Sequence, residues 1–130
     1  MAMSTFDVTV RIIIHSHEIS ETISAIMGVP QTIRYNTPRF PNDKTWSYSV
    51  VYKNQTDIDE CIGCFLSAIP GLPSKIAKVQ ALGDCAIRVS VVSEYGQFGY
   101  GLSPETLRLL AQLNIPFETT VFSFGSCVDE

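Results

Sequence analysis

The sequence predicts one α+β domain in which a mostly antiparallel sheet carries helices on one of its faces. The first reason is a pattern that occurs near each end of the chain: an alternating strand, a short amphipathic helix and a second strand. The second is the length of 130 residues, which suits one hydrophobic core and places residues 1–130 in a single domain. The third is the hydrophobic content of 45% beside 17% charged residues, which is usual for a soluble globular chain.

The first strand and helix are predicted between Phe6 and Met27. Apolar and polar residues alternate over Phe6–Ile12, the pattern of a half-buried antiparallel strand. Ser16 is a candidate N-cap, and apolar residues at helical spacing predict a helix over Glu18–Met27. Gly28 and Pro30 end this helix. We therefore expect a strand followed by a helix that covers the sheet.

A loop, a second strand and a second helix follow. Two prolines within 31–44 forbid a central strand there and indicate an exposed loop. Trp46–Tyr52 restores strand character, and Thr56 is a candidate cap for the next helix. Pro70 and Gly71 end that helix. One face of it is apolar, with Ile58, Cys61, Ile62, Phe65, Leu66 and Ile69.

The second half of the chain closes the predicted sheet. The pattern of Leu72–Leu82 does not decide its structure, and a short helix packed beside the previous one is one possibility. Ala86–Val92 alternates as a strand does, and Ser103 with Pro104 and Glu105 forms a strong helix start. Phe117–Phe124 supplies the last strand. The expected order is β-α-β-α-β-α-β, a ferredoxin-like arrangement elaborated by a middle helix.

The charge balance disfavours a direct interaction with nucleic acid. Nine basic and thirteen acidic residues leave a net charge of −4, the wrong sign for a protein that holds phosphates through Lys and Arg. No apolar run reaches the roughly 18–20 residues of a membrane helix. The N-terminus lacks the basic start and apolar middle of a secretion signal, so we expect a cytoplasmic protein.

The sequence offers no catalytic set, and we expect a protein that is not an enzyme. No serine lies in a G-x-S-x-G elbow. The glycines of Gly96–Gly101 match neither phosphate-binding pattern, G-x-x-x-x-G-K-[ST] or G-x-G-x-x-G. A hydrolase and a nucleotide-binding enzyme are therefore disfavoured, and we expect no cofactor.

Cysteines and histidines raise the question of a metal site, and we expect none. Cys61 and Cys64 have the spacing of a redox pair or half a zinc site, but the other two cysteines, Cys85 and Cys127, are single. Cys61 also lies on the apolar stripe of its helix, where a reduced thiol behaves as a small hydrophobic group.

The pair His15 and His17 keeps a second possibility open. If Ser16 is still extended, both rings project from one face of the strand, as metal ligands can. The alternative to a protein that binds a protein partner is accordingly a small metal- or ligand-binding domain that uses these two residues, with or without a cysteine.

The candidate residues for binding a partner are acidic and aromatic. The acids either stabilise the positive end of a helix or meet a basic partner. The aromatics either face a partner from the sheet or belong to the core. The acidic candidates are Asp57, Asp59 and Glu60, the loop candidates are Arg39, Phe40 and Asp43, and the aromatic candidates are Tyr48, Phe98 and Tyr100, with Tyr52 beside them.

Four segments together resemble the bacterial domain-of-unknown-function family forty-two seventy-nine. They are Ile19–Pro30, the strand opened by Trp46, the helix Asp57–Ile69, and Leu102–Leu113 with its Ser-Pro-Glu start. The resemblance covers most of the chain and carries over no catalytic residue.

Small acidic bacterial proteins of this kind are similar to the immunity proteins of contact-dependent and polymorphic toxin systems. The resemblance implies a cytoplasmic, non-catalytic protein that binds and neutralises a cognate toxin domain, which we expect to be basic. We expect a monomer or a weak dimer. A self-associating structural domain that pairs through an open sheet edge is a further alternative.

Overall fold

The computed structural model describes residues 5–18, 20–32, 45–93 and 99–123. Within these ranges the chain forms four strands and four helices. In chain order they are β1 (Phe6–Ser16), α1 (Ser20–Met27), β2 (Thr45–Gln55), α2 (Ile58–Ala68), α3 (Leu72–Gln80), β3 (Gly83–Ser93), α4 (Pro104–Leu113) and β4 (Phe117–Ser123). None of the helices in these ranges combines the length and the apolar character needed to cross a membrane.

The described strands form one mixed sheet in the order β2-β1-β3-β4. β1 runs antiparallel to both β2 and β3, whereas β3 and β4 are parallel. The α+β class is confirmed, but the ferredoxin-like arrangement is not, since the strand order is 2-1-3-4. The expected element order also lacked one helix. Leu72–Leu82, which the sequence left undecided, contains α3.

The two outer strand-helix-strand units close in different ways. In the first unit, β2 starts opposite the end of β1, where Thr45 pairs with His15, so the two strands are antiparallel. In the second unit, α4 carries the chain back along the sheet, and Phe117 starts β4 opposite Ile87 of β3 in the parallel direction. The repeat in the sequence is therefore a repeat of element types and not of strand directions.

Alternation along the strands decides which face meets the helices. On β1, Val8, Val10, Ile12 and Ile14 are fully buried, and the intervening Thr9 and Arg11 are half-buried on the other face. The apolar residues of β3 and the buried faces of the helices join the same core. Phe65 of α2 is the largest side chain in this core that is fully buried. This packing places the helices on one face of the sheet, as the sequence predicts.

The corner between β1 and α1 differs from the prediction. Ser16 is the last residue of β1, and α1 begins at Ser20, so Ser16 is not the residue that caps the helix. Its hydroxyl instead donates to the carbonyl oxygen of Leu82 at 3.0 Å and accepts from the backbone N–H of Glu18 at 3.0 Å. The serine joins the end of β1 to the segment that leads into β3.

The starts of α2 and α4 show how side chains satisfy the free N–H groups of a first turn. Asp57, rather than the predicted Thr56, caps α2, and its carboxylate accepts from the backbone N–H of Glu60 at 3.1 Å. Ser103 caps α4 as predicted, and its hydroxyl accepts from the backbone N–H of Thr106 at 3.2 Å.

Candidate functional site

The structure separates the predicted partner-binding residues into groups. Asp57, Asp59 and Glu60 lie together at the start of α2. Tyr48 lies on β2, and Tyr100 precedes α4. The remaining candidates, Arg39, Phe40, Asp43 and Phe98, fall outside the described residues.

Asp59 links α2 to α4. Its carboxylate accepts a hydrogen bond from the backbone N–H of Ser103 at 2.9 Å, across 44 residues of sequence. Burial is the largest influence and raises the pKa of Asp59, but hydrogen bonds from Ser103 and Thr106 outweigh it and leave the pKa below its ordinary value. The charged form of Asp59 is therefore the one that the fold stabilises. This carboxylate has a structural role that the sequence did not reveal.

Replacing Asp59 with alanine is expected to lower the free energy of unfolding by about 1–2 kcal/mol at neutral pH, because the Ser103 N–H loses a charged acceptor. A carboxyl whose pKa is depressed by folding contributes stability above its unfolded pKa and loses it as the pH falls through the folded value. The difference from wild type should therefore shrink below about pH 4. Urea denaturation at several pH values between roughly pH 3 and pH 7 measures this difference.

Glu60→Ala is the matched control for this prediction, because it removes an exposed acid from the same helical turn. It should change the stability by less than about 0.5 kcal/mol. An Asp59→Ala protein as stable as wild type at neutral pH would contradict the linking role of the carboxylate.

The hydrogen bond between Asp59 and Ser103 brings the first turns of α2 and α4 side by side. We call the four carboxylates of these two turns the acidic edge: Asp57, Asp59, Glu60 and Glu105. Each helix N-terminus contributes roughly half a positive charge, so the two together offset only about one of the four negative charges. Three of the acids, Asp57, Glu60 and Glu105, are exposed, and Asp59 is half-buried. The acidic edge is therefore a negative surface that solvent and a partner can reach.

An exposed apolar side chain and a basic one follow the acidic edge along α4. Leu107 is 51% exposed, two residues after Glu105. Arg108 is exposed on the same helix and lowers the local negative charge without cancelling it. The sequence predicted Glu105 only as part of the start of α4. It did not predict that this turn lies beside the acids of α2, because that placement depends on a contact between residues 44 positions apart in the chain.

The aromatic candidates of β2 lie on the helix-covered face. The ring of Tyr48 lies 5.9 Å from that of Phe65, centroid to centroid, in a tilted arrangement, and Tyr48 packs against the core. Tyr52 packs there too, and its pKa is raised mainly by burial and further by Cys64 and Cys61. The sequence left open whether these tyrosines face a partner or belong to the core, and the structure places both against the core.

Tyr100 also contacts the core rather than standing free. It is half-buried against the core, and its hydroxyl forms a hydrogen bond of 2.6 Å with the hydroxyl of Thr119 on β4. The bond anchors the segment before α4 to the last strand. Like Tyr48, Tyr100 is positioned by packing against the core.

The cysteines of the described ranges are free thiols. Burial, with smaller contributions from Cys64 and nearby acids, raises the pKa of Cys61 to about 11. Burial raises the pKa of Cys85 to about 11 as well. The Cys61 thiol donates to the carbonyl oxygen of Asp57 at 3.3 Å. Since the thiolate is the reactive and metal-binding form, Cys61 and Cys85 are poorly suited to either chemistry.

The histidines lie at the end of β1 and just beyond it. Nδ1 of His15 lies 3.1 Å from the hydroxyl of Thr45 on β2, and both His15 and His17 are exposed. Across residues 5–18, 20–32, 45–93 and 99–123, no three His, Cys, Asp or Glu side chains are grouped so that they could hold a metal ion. Metal binding by His15 and His17 stays an untested alternative.

Comparison with known proteins gives one result. A family model described as "Domain of unknown function (DUF4279)" matches residues 7–122, a range that runs from β1 into β4. No curated protein and no solved structure shows a significant match.

Proposed function

The chain belongs to the family described as Domain of unknown function (DUF4279), which brings no reaction with it, and from its residues we propose that it is an immunity protein. In this proposal the protein acts in the cytoplasm, is not a catalyst, and binds a cognate toxin domain of a contact-dependent or polymorphic toxin system. The partner is basic, at least over the surface that makes contact.

The observation that carries the proposal is the acidic edge. A partner cleft that binds an anionic substrate is basic, and carboxylates held in a fixed geometry complement it. Hydrogen bonds hold the carboxylates of Asp57 and Asp59 at the two helix starts, so these two side chains lose little conformational freedom when a partner docks.

The experiment that tests the proposal uses the C-terminal domain of the protein encoded immediately upstream of this chain. The two are produced together, and the tagged chain is used to isolate any complex. We expect a stable complex and restored growth of cells that produce the toxin domain. Growth inhibition that persists in the presence of the chain, with no complex, would contradict the proposal for this pair.

Replacing Glu60 and Glu105 with glutamine tests the acidic edge itself. Both side chains are exposed and neither caps a helix through its side chain, so the fold should be retained. We expect the Kd for the toxin domain to rise about tenfold, mostly through slower association, because rim charges steer the encounter. Surface plasmon resonance at low salt measures both rate constants.

The matched control is the double variant Glu18→Gln and Glu21→Gln. It removes two exposed acids near the start of α1 and changes the net charge by the same amount. The control should bind like wild type. An equal loss of affinity in both double variants would show that total charge, and not the acidic edge, determines binding. An unchanged Kd for the Glu60→Gln, Glu105→Gln variant would remove the acidic edge from the interface. Asp57 and Asp59 are left in place, because their loss would weaken the fold as well as the surface.

A further inference from the structure

The two edges of the sheet differ in how they are protected. Along β2, Thr32 donates its backbone N–H to the carbonyl oxygen of Ser47 at 2.8 Å, and its hydroxyl accepts from the N–H of Ser49 at 2.8 Å. β4 forms the other edge, and among the residues described it pairs with β3 alone. An edge strand with unpaired backbone groups is a template for another strand.

Beyond Glu118, the side chains of β4 lack the features that usually discourage such pairing. All residues from Glu118 to Ser123 are exposed, including Val121 at 46% and Phe122 at 51%. The run from Thr119 to Ser123 contains no charged residue and no proline. Charges and prolines on an edge strand are the common means of blocking aggregation and pairing.

We propose that β4 is a self-association edge, which pairs antiparallel with β4 of a second copy of this chain around a two-fold axis. The pairing joins two four-stranded sheets into one continuous sheet. A two-fold interface places the same strand on both sides, and antiparallel pairing centred on Thr120 matches Glu118–Phe122 with itself.

The charge pattern of β4 favours a second copy as the occupant. In the register centred on Thr120, Glu118 lies opposite Phe122 of the second copy, so the two glutamates do not face one another. Each Glu118 is already compensated within its own chain, because Arg88 donates to its carboxylate from Nε at 3.1 Å and Nη2 at 2.9 Å. Thr120 meets its own counterpart at the centre, and a pair of threonines is compatible with close cross-strand contact.

The test is the mass in solution of the full chain over a range of concentrations, measured by sedimentation equilibrium. A monomer has a mass of 14.4 kDa, and we expect the apparent mass to rise towards twice that value as the concentration increases. A wild-type protein that stays at the monomer mass up to roughly 0.2 mM would overturn the proposal, since it would place any dimer beyond a Kd of that order.

Thr120→Lys is the informative variant, because the proposed register brings the two new ammonium groups face to face. The position is exposed, so the monomer should fold, and the dimer should weaken by at least about tenfold. Val51→Lys is the matched control: Val51 is 52% exposed on β2, the opposite edge strand, and this change should leave the dimer intact. A dimer unaffected by Thr120→Lys would overturn the assignment to β4.

Hydrogen exchange separates the second copy from other occupants of the edge. In wild type, protection of β4 amides should increase with protein concentration, and Thr120→Lys should abolish that increase. Protection that is independent of concentration in a monomer would mean that the edge is covered within the chain, and this result would overturn the proposal. Neither measurement involves a toxin domain, so the proposal stands or falls separately from the immunity function.

Discussion

Replacing Phe65 with alanine is expected to lower the free energy of unfolding by about 3–5 kcal/mol. Phe65 is 1% exposed and is the largest fully buried side chain of the core. Its ring packs against Tyr48 of β2, so its loss opens a cavity between the helix layer and the sheet. A domain of ordinary size has only about 5–15 kcal/mol of stability in total, and the variant should lie close to unfolding. Urea denaturation followed by circular dichroism measures the change.

Ser67→Ala is the control for this prediction, since Ser67 is exposed on the same helix. It should be within about 0.5 kcal/mol of wild type. A loss below about 1 kcal/mol for Phe65→Ala would mean that the helix layer rearranges to fill the space, contrary to the packing seen between α2 and the sheet.

The second large effect is expected from alanine at Gly83. Gly83 opens β3 and pairs with Ser16, the last residue of β1. A Cβ atom added there would collide with the carbonyl oxygen of His15 and would lie 2.9 Å from Cα of Ser16. Both are backbone atoms and cannot rotate away, so the strands have to separate at this corner. We expect a loss of about 2–3 kcal/mol, measured as a shift of the urea midpoint.

Gly99→Ala tests whether the effect comes from the close approach or from glycine in general. A Cβ atom at Gly99 would meet no atom within 4 Å. This substitution should be neutral or slightly stabilising, because alanine restricts the unfolded chain. Equal stability of Gly83→Ala and wild type would show that β1 and β3 can separate at this corner without cost.

Much of the fold could be predicted from local pattern. Alternation identified the strands, and the run Ser103, Pro104 and Glu105 identified the start of α4. Alternation also agrees with the positions of Tyr48 and Tyr52. Both are an even number of residues from the buried Trp46, so they lie on the helix-covered face of the sheet.

The strand order could not be predicted in the same way. Periodicity shows which face of a strand is buried, but it does not show which strand lies beside it. Two similar strand-helix-strand units therefore suggested a ferredoxin-like order, whereas β3 and β4 are parallel neighbours. The direction depends on how far the helix carries the chain back along the sheet, which is a property of packing.

The candidate site shows the same division. The acids at the start of α2 were visible in the sequence, and one of the two readings, stabilisation of a helix start, describes Asp57 well. The contact from Asp59 to Ser103 joins residues far apart in the chain, so no local pattern indicated it. That contact is what adds Glu105 to the surface and makes Glu60 and Glu105 the informative positions to change.

The measurement that tests the central claim most directly is the salt dependence of binding between the chain and the toxin domain encoded upstream. Kd is determined between roughly 50 and 300 mM salt for wild type and for the Glu60→Gln, Glu105→Gln variant. If the acidic edge meets a basic partner, wild-type affinity falls as salt rises, and the double variant loses part of that dependence. An affinity that is independent of salt in wild type, or equally salt-dependent in both proteins, would contradict the account.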